Sequence, residues 1–296
     1  MTLDDLVERC TFPPAGTPLD CAVSGGPDSL ALLVLAARAG CVVTAIHVDH
    51  GLRSGSAAEA DVVARVASGV GAAFRSERVV VEPGSNLEAR ARAARRAVLG
   101  DAATGHTADD QAETVLGNLL RGAGPDGLAA MRAGPHHPIL ALRRSETHAV
   151  CAALGLRAVH DPSNDDPSHL RNRLRHEVLP LLADVAGRDP VPLLVRAAEH
   201  SRAAADELTA RASMIDPTDA AALAAAAPEL ARRAIRTWLR AQSPERHPPD
   251  AAAVDRVLAV ARGDAVATEI GGGRRVARTG GRLRVDRPDG GPASSG

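Results

Sequence analysis

Lysine and tyrosine are both absent from this chain of 296 residues, and the only aromatic side chains are Phe12, Phe74 and Trp238. Without lysine there is no Walker-type phosphate loop and no protein amine for Schiff-base chemistry. So few rings cannot build the stacking platform on which RRM or OB folds lay single-stranded bases. The four cysteines, Cys10, Cys21, Cys41 and Cys151, are widely spaced and form no C-x-x-C pair. That spacing removes the ligand sets of zinc ribbons, thioredoxin-type motifs and clusters held by paired cysteines. They read as small buried hydrophobes in a reducing, cytoplasmic setting. No uncharged apolar run is longer than Leu30–Ala37, which falls far short of the roughly 20 residues of a membrane span. The acidic start, Thr2-Leu3-Asp4-Asp5, does not read as a secretory signal.

What remains is the balance of a soluble globular protein, 45% hydrophobic and 24% charged, with 35 arginines against 36 acids. The length allows one large domain and a smaller one. In the first half, short β-rich runs alternate with helical patterns. Strands are expected at Leu19–Val23, Cys41–Val48, Ala73–Val81 and Ala102–Thr104. Helices are expected at Pro27–Ala39, Ala57–Val70, Leu87–Leu99 and Ala108–Leu120. This alternation predicts an α/β fold, a parallel sheet with helices on both faces. Its functional groups should collect at the carboxyl ends of the strands. After Pro180 the chain turns alanine-rich and helical, with Pro192–Met214 as the longest stretch. The turn chemistry of Asp216-Pro217-Thr218-Asp219 sets the expected boundary between a catalytic domain, 1–215, and a small helical domain, 216–289. That second domain should end in a hairpin turning at Gly280-Gly281, followed by a disordered tail, 290–296.

Four clusters carry chemistry. In Ser24-Gly25-Gly26-Pro27-Asp28-Ser29, the glycines let several N–H groups converge and Pro27 suits a first helical turn. The helix N-terminus and the Ser29 hydroxyl complete a phosphate cradle that needs no lysine. Asp28 would repel phosphate unless a Mg²⁺ bridged the two. In Gly105–Thr114, Asp110 and Glu113 lie three apart on one helix face, suiting a metal or a cationic substrate. His106, just before that helix, is a candidate phosphate or nucleotide contact. One of Asp109 and Asp110, rather than both, could simply be a first-turn acid that complements the helix dipole. In His47–Arg53, His50 and Arg53 are nucleotide-contact candidates and His47 belongs to the core. Asp161-Pro162-Ser163-Asn164 with Arg171-Asn172-Arg173 offers guanidiniums to carboxylate or phosphate.

Together these residues resemble a known family. SGGPDS at 24–29 is similar to the PP-loop of the ATP pyrophosphatases, which cleave ATP to AMP and pyrophosphate. In chain order, VDHGLR (48–53), NLEARAR (86–92), GHTADDQAET (105–114), NLLRGAG (118–124), DPSN (161–164) and RNR (171–173) resemble the signature of the tRNA(Ile)-lysidine synthase family. The resemblance implies adenylation of C2 of the wobble cytidine in a CAU-anticodon isoleucine tRNA. Free L-lysine then displaces AMP through its ε-amine, changing decoding from AUG to AUA. It implies ATP as substrate, Mg²⁺ on Asp28 and Asp110, and an ammonium site at Asp110 and Glu113. Arg90 and Arg171 would order the lysine or the adenylated base. The nucleotide would lie on Ser24, Gly25, Gly26, Pro27, Asp28, Ser29, His50, Arg53 and His106. The expected setting is cytoplasmic, away from membranes, and a homodimer is compatible with it. The chain carries only one small domain after residue 215, fewer than longer relatives.

Two further expectations follow. Removing Asp28 or Asp110 should leave stability unchanged or raised, since both read as site groups. Residues 274–287 hold six arginines and one acid, so Arg282 and Arg284 should offer one hairpin face to RNA phosphates.

Overall fold

The computed structural model describes residues 2–49, 56–79, 90, 94, 97–159, 166–242 and 249–286. Four strands, β1 (Pro18–Ala22), β2 (Val42–Asp49), β3 (Ala73–Arg78) and β4 (Ala103–Thr104), form a parallel sheet in the order β3-β2-β1-β4. The strands fall where the sequence placed them, because each crossover supplies a helix that covers the sheet. Leu19, Cys21, Val43 and Ala45 pack on one face, against α1 (Leu3–Val7), α2 (Pro27–Arg38) and α3 (Ser56–Gly69). Ala22 and Ile46, at the alternate positions, pack on the other face against Ala102 and Leu99, the latter in the helical residues 97–99. Hence the sheet is covered on both sides.

Helix α2 is apolar nearly all round, with every residue from Ser29 to Ala36 buried. An all-round apolar helix is a core helix. Leu30, Leu32, Leu33 and Leu35 are fully shielded, each contributing about 1.5–3 kcal/mol of burial. That anchorage matters because the N-terminus of α2 carries the glycine-rich loop. Three of the cysteines are buried and Cys10 is half-buried, all as free thiols. Burial pushes the Cys10 and Cys21 thiols up to about 12 and Cys151 up to about 11. Such thiols stay protonated and inert.

The chain divides into two compact units, Met1–Ser201 and Arg202–Gly296. The division falls inside the long helix α8 (Val191–Ala212), ahead of the turn at 216–219. In the second unit, α9 (Ala220–Ala225), α10 (Pro228–Gln242) and α11 (Ala251–Arg262) share a core with an antiparallel sheet of β5 (Ala267–Glu269), β6 (Arg275–Thr279) and β7 (Arg282–Asp286), in that order. The expected hairpin is β6 (Arg275–Thr279) and β7 (Arg282–Asp286). Gly280 and Gly281 have φ of 58° and 75°, the left-handed pair that a two-residue hairpin turn requires. The strand β5 (Ala267–Glu269) was not legible beforehand. Among the described residues, no helix is long and apolar enough to cross a membrane.

Candidate active site at the strand ends

The loop after β1 is built as a cradle. Gly26 caps α2 and Pro27 takes its first position. Gly25 has φ +88°, is buried, and its carbonyl accepts from the Val159 N–H at 2.9 Å. A side chain there would be strained and would meet Val159 Cγ2 at 3.3 Å. The Ser29 hydroxyl donates to the Gly26 carbonyl at 2.9 Å, and the Ser24 N–H donates back to Ser29 Oγ at 3.2 Å. The hydroxyl read as a phosphate ligand thus also cinches the loop. Behind it, the β4 loop lies directly on the first turn of α2. A Cβ on Gly105 would sit 2.7 Å from the Asp28 carbonyl oxygen and 3.0 Å from the Ser29 nitrogen. Backbone cannot yield there cheaply, so Gly105→Ala is expected to reduce AMP formation by about tenfold or more through misplacement of Asp28. Single-turnover assay of the refolded, thermally characterised variant checks this.

Helix α4 (Ala108–Leu120) matches its sequence expectation at both ends. Thr107 is the N-cap, and Asp110 Oδ2 accepts from the Thr107 N–H at 2.8 Å and from its hydroxyl at 2.9 Å. Half of the Asp110 carboxylate is therefore a helix cap. The other oxygen, Oδ1, accepts from Arg144 and Arg171, each at 2.9 Å. Glu113, its side chain wholly shielded, accepts from Arg144 Nη1 at 3.1 Å, Arg171 Nε at 2.7 Å and Arg175 Nε at 2.7 Å. Asp109 instead binds Arg143 through both oxygens at 3.0 Å and the Arg144 N–H at 2.8 Å. The two first-turn acids thus differ: Asp109 is a structural anchor, whereas Asp110 faces the crevice.

Arg144 joins the two halves of the crevice. It opens α5 (Arg144–Ala153), reaching Asp110 and Glu113 through its Nη atoms and approaching Asp28 Oδ2 with Nε at 3.6 Å. The Thr147 hydroxyl donates to Asp28 Oδ1. Burial holds the Asp28 carboxyl above its ordinary range; the Thr147 bond opposes this and nearby Asp110 adds to it. Burial would also raise Asp110, but Arg144, Arg171 and the Thr107 N–H outweigh it and hold that group low. Arg171 lies in α6 (Leu170–Arg173) and Arg175 in the π-turn, Leu174–Val178, that leads to α7 (Leu179–Ala186). Pro180 has no N–H for the His176 carbonyl, and the Leu179 N–H bonds back to Leu174, so the ladder slips by one residue. Four residues apart, Arg171 and Arg175 reach the same carboxylate.

Arg144, Arg175 and Thr147 had escaped the sequence reading. Arg175 follows Arg171 at helical spacing and was findable; the Asp28–Thr147 contact spans 119 residues and was not. Arg90 is helical and exposed, with interactions of its own. His106 stands one residue before the N-cap of α4, with Nδ1 2.7 Å from Thr104 Oγ1. His50, Arg53, the segment 161–164 and the tail 290–296 lie outside the described residues.

A cation suits Asp28, since its half-buried carboxylate is held above its ordinary range by burial, with only the Thr147 hydroxyl and the more distant Arg144 Nε to offset this. Asp110 Oδ1 is committed to two guanidiniums, so it fits a metal less well than the sequence implied. Among the described residues, no three carboxylate, histidine or cysteine side chains converge as a metal set. The residues fit a Mg²⁺ held mainly by phosphates, with Asp28 as its protein ligand.

The hairpin exposes Arg282 and Arg284 on one face and buries Leu283, as expected, but Arg282 has internal partners. Arg282 donates to Asp216 and to Thr218 Oγ1, the latter at 2.9 Å. The Thr218 hydroxyl and N–H, with Arg282, hold Asp216 down at about 2. Arg278 turns to the core side and donates to the Ala261 carbonyl, and Arg274 to the Gln242 carbonyl. The strand pairing also sets Glu269 and Asp286 beside Arg275. Part of the row of guanidiniums is thus taken up by structural partners, which sequence charge alone could not show.

Comparison with known proteins agrees with this geometry. A PP-loop domain family matches residues 7–182, and a TilS substrate binding domain family matches residues 219–284. The tRNA(Ile)-lysidine synthase of Rhodococcus jostii is 41% identical over 90% of this chain and 89% of its own length. That of Nocardia farcinica is 40% identical over 95% and 96%. That of Mycolicibacterium paratuberculosis is 45% identical over 74% and 73%. Among solved structures, the U34-tRNA thiolase NcsA from Methanococcus maripaludis, with its [4Fe-4S] cluster, covers 67% of this chain and 77% of that one, at 18% identity and a TM-score of 0.53. This last likeness is one of fold.

Proposed function

Since the chain belongs to the tRNA(Ile)-lysidine synthase family, PP-loop ligases that use ATP, we propose that it joins L-lysine to C2 of the wobble cytidine of a CAU-anticodon isoleucine tRNA in two steps. In the first, the C2 oxygen attacks the α-phosphorus of ATP and the bond to pyrophosphate breaks. In the second, the lysine ε-amine forms the new bond to C2, and AMP leaves with the C2–O electron pair. The product, lysidine, changes decoding from AUG to AUA.

The observation that carries this reading is Arg144, which spans Asp28 on the nucleotide side and Asp110 and Glu113 on the other. An anion cradle and a carboxylate pair therefore share one crevice. Backbone N–H groups of Gly25 and Gly26 and the α2 N-terminus receive the pyrophosphate. Mg²⁺, when bound at Asp28, supplies charge neutralisation for the phosphates. Asp110 and Glu113 already hold guanidiniums, so a lysine ammonium finds oxygens arranged for a cation. Arg171, with 42% of its side chain exposed, is the guanidinium most easily exchanged for that ammonium. Arg90, on the relatives' pattern, orders the lysine or the adenylated base.

The order of events is testable. AMP formation should need ATP, Mg²⁺ and tRNA; with lysine omitted, adenylated tRNA should accumulate and be resolved by mass spectrometry. Modified tRNA containing sulfur and no lysine would overturn the proposal.

Recognition of tRNA by the second unit should rest on arginines with fewer internal duties than Arg282. Arg236 and Arg240 lie four apart on α10, and neither has a partner among the described residues. The variant carrying Arg236→Ala and Arg240→Ala is expected to raise KM for tRNA and leave KM for ATP unchanged. It should also flatten the log–log salt dependence of tRNA binding by about 1–2, since each arginine removed leaves one phosphate with its counterions. Arg282→Ala should instead lower Tm and leave that slope intact.

A further inference from the structure

One buried polar side chain has no role in the reaction as described. His47 lies in β2, only 2% exposed, two residues along from Ala45 on the face packed under α2. Its ring makes one hydrogen bond among the described residues, from Nδ1 to the Val23 carbonyl at 2.9 Å. A carbonyl oxygen only accepts, so Nδ1 carries the hydrogen. The other nitrogen, Nε2, is buried and meets no partner among the described residues. An unpaired buried polar atom is costly, and an apolar side chain here would avoid that cost. Packing therefore gives no reason for a histidine; the Val23 bond does.

That bond opens a line that ends in the phosphate cradle. Regular pairing of β1 with β2 stops at Ala22 and Ile46, and Val23 is the last residue before the glycine-rich loop. Its carbonyl and the Ser24 N–H belong to one planar trans peptide, so fixing one fixes the direction of the other. The Ser24 N–H donates to Ser29 Oγ at 3.2 Å, and the Ser29 hydroxyl gives its single proton to the Gly26 carbonyl at 2.9 Å. The line thus runs from His47 through the Val23–Ser24 peptide and Ser29 to Gly26. Each member donates to the next, and bonds so chained polarise one another. From the other side, the Val159 N–H holds the Gly25 carbonyl at 2.9 Å. With both flanks pinned, the Gly25 and Gly26 N–H groups have no acceptor among the described residues.

We propose that His47 is a positioning residue for ATP: by holding the Val23–Ser24 peptide it sets Ser29 and keeps the loop in the conformation whose Gly25 and Gly26 N–H groups receive the pyrophosphate. This rests on the reading of residues 24–29 as the phosphate cradle. His47 is thus a core residue with a second duty. The ring touches neither substrate nor reacting atom, so its effect passes through the order of the loop. A loop already held in its binding conformation loses less freedom when the nucleotide arrives. Loss of the bond should therefore weaken ATP binding and leave the handling of lysine alone.

Variants of the full chain separate the bond from the bulk. His47→Phe keeps a ring and loses the donor; His47→Asn keeps an N–H at the Nδ1 position and loses Nε2. Calorimetric titration with MgATP should give His47→Phe a Kd about tenfold above wild type, and His47→Asn one within about twofold of it. KM for ATP should rise in His47→Phe while KM for lysine stays put. Because the line runs through Ser29, His47→Phe should add less than about twofold to the loss in Ser29→Ala. In the wild type, long-range ¹H–¹⁵N spectra of labelled histidine should show His47 as the Nδ1–H tautomer, a result that depends on no variant folding. An Nε2–H tautomer overturns the proposal, as does a wild-type Kd in His47→Phe. So do equal weakening in the Asn and Phe variants, equal rises in KM for ATP and lysine, and full additivity with Ser29→Ala. A wild-type chain that does not bind MgATP overturns the cradle reading itself.

Discussion

Asp28→Asn is expected to lower AMP formation by about 10³-fold, a loss of ~4 kcal/mol of transition-state stabilisation, while raising thermal stability. The two effects share one cause. The carboxylate is held in a crevice that disfavours its charge, with burial outweighing the Thr147 hydroxyl. For an acid whose folded pKa is raised, ionisation favours the unfolded chain. Its unfavourable contribution is absent below the unfolded pKa and develops as pH rises through the folded value. The Asn variant should therefore match wild type near pH 4 and exceed it in Tm by a few degrees near pH 8. Asparagine keeps an oxygen for Thr147 and removes the charge that would hold Mg²⁺ against phosphate. Thermal melts at the two pH values, beside an AMP assay, check both halves. A variant less stable than wild type at high pH would make Asp28 a structural residue.

Glu113→Ala should act in the opposite sense, with a loss of about 3–5 kcal/mol, the usual consequence of removing one partner from a buried ion-pair network. The carboxylate is wholly shielded and accepts from three guanidiniums. Without it, Arg144, Arg171 and Arg175 keep only the outer oxygen of Asp110 in common. Urea unfolding should show the midpoint falling with an unchanged slope. Lysine transfer should fall as well, because the ammonium site loses half its charge. Asp110→Ala is expected to destabilise too, contrary to the expectation from sequence, since it removes a helix cap together with two ion pairs. The Asp110 pKa is lowered in the fold, so its contribution is complete above the unfolded value near 3.8 and is lost as pH falls through the folded one. A neutral Glu113→Ala would mean that the three arginines find other partners without cost.

Much of the first unit was legible because its elements obey local rules. Gly26 and Pro27 start α2, Thr107 and Asp110 start α4, and alternation in β1 and β2 assigns residues to the two faces of the sheet. The strand ends then bring SGGPDS and GHTADD together, and Gly105 fits against Asp28 without a side chain. What could not be read is what connects distant segments. Arg144 and Thr147 sit in a stretch with no motif of its own, yet they are the groups that meet the Asp28 carboxylate. His137 likewise meets His106 across 31 residues. In the second unit, local charge could not tell which of six arginines in a short stretch are tied internally. Sheet register and the turn at 216–218 assign Arg274, Arg278 and Arg282 to carbonyls and a carboxylate. Local patterns set where elements lie; side-chain partners follow from packing that no local pattern encodes.

Incorporation of labelled L-lysine into tRNA tests the functional reading most directly. With ATP and Mg²⁺, the purified chain should transfer about one lysine per CAU-anticodon isoleucine tRNA, as the single wobble target requires, and release an equal amount of AMP. A transcript with uridine in place of the wobble cytidine should accept none. Lysine incorporation that persists in the uridine transcript, or AMP release with no lysine in the cytidine transcript, would contradict ligation of lysine to the wobble base.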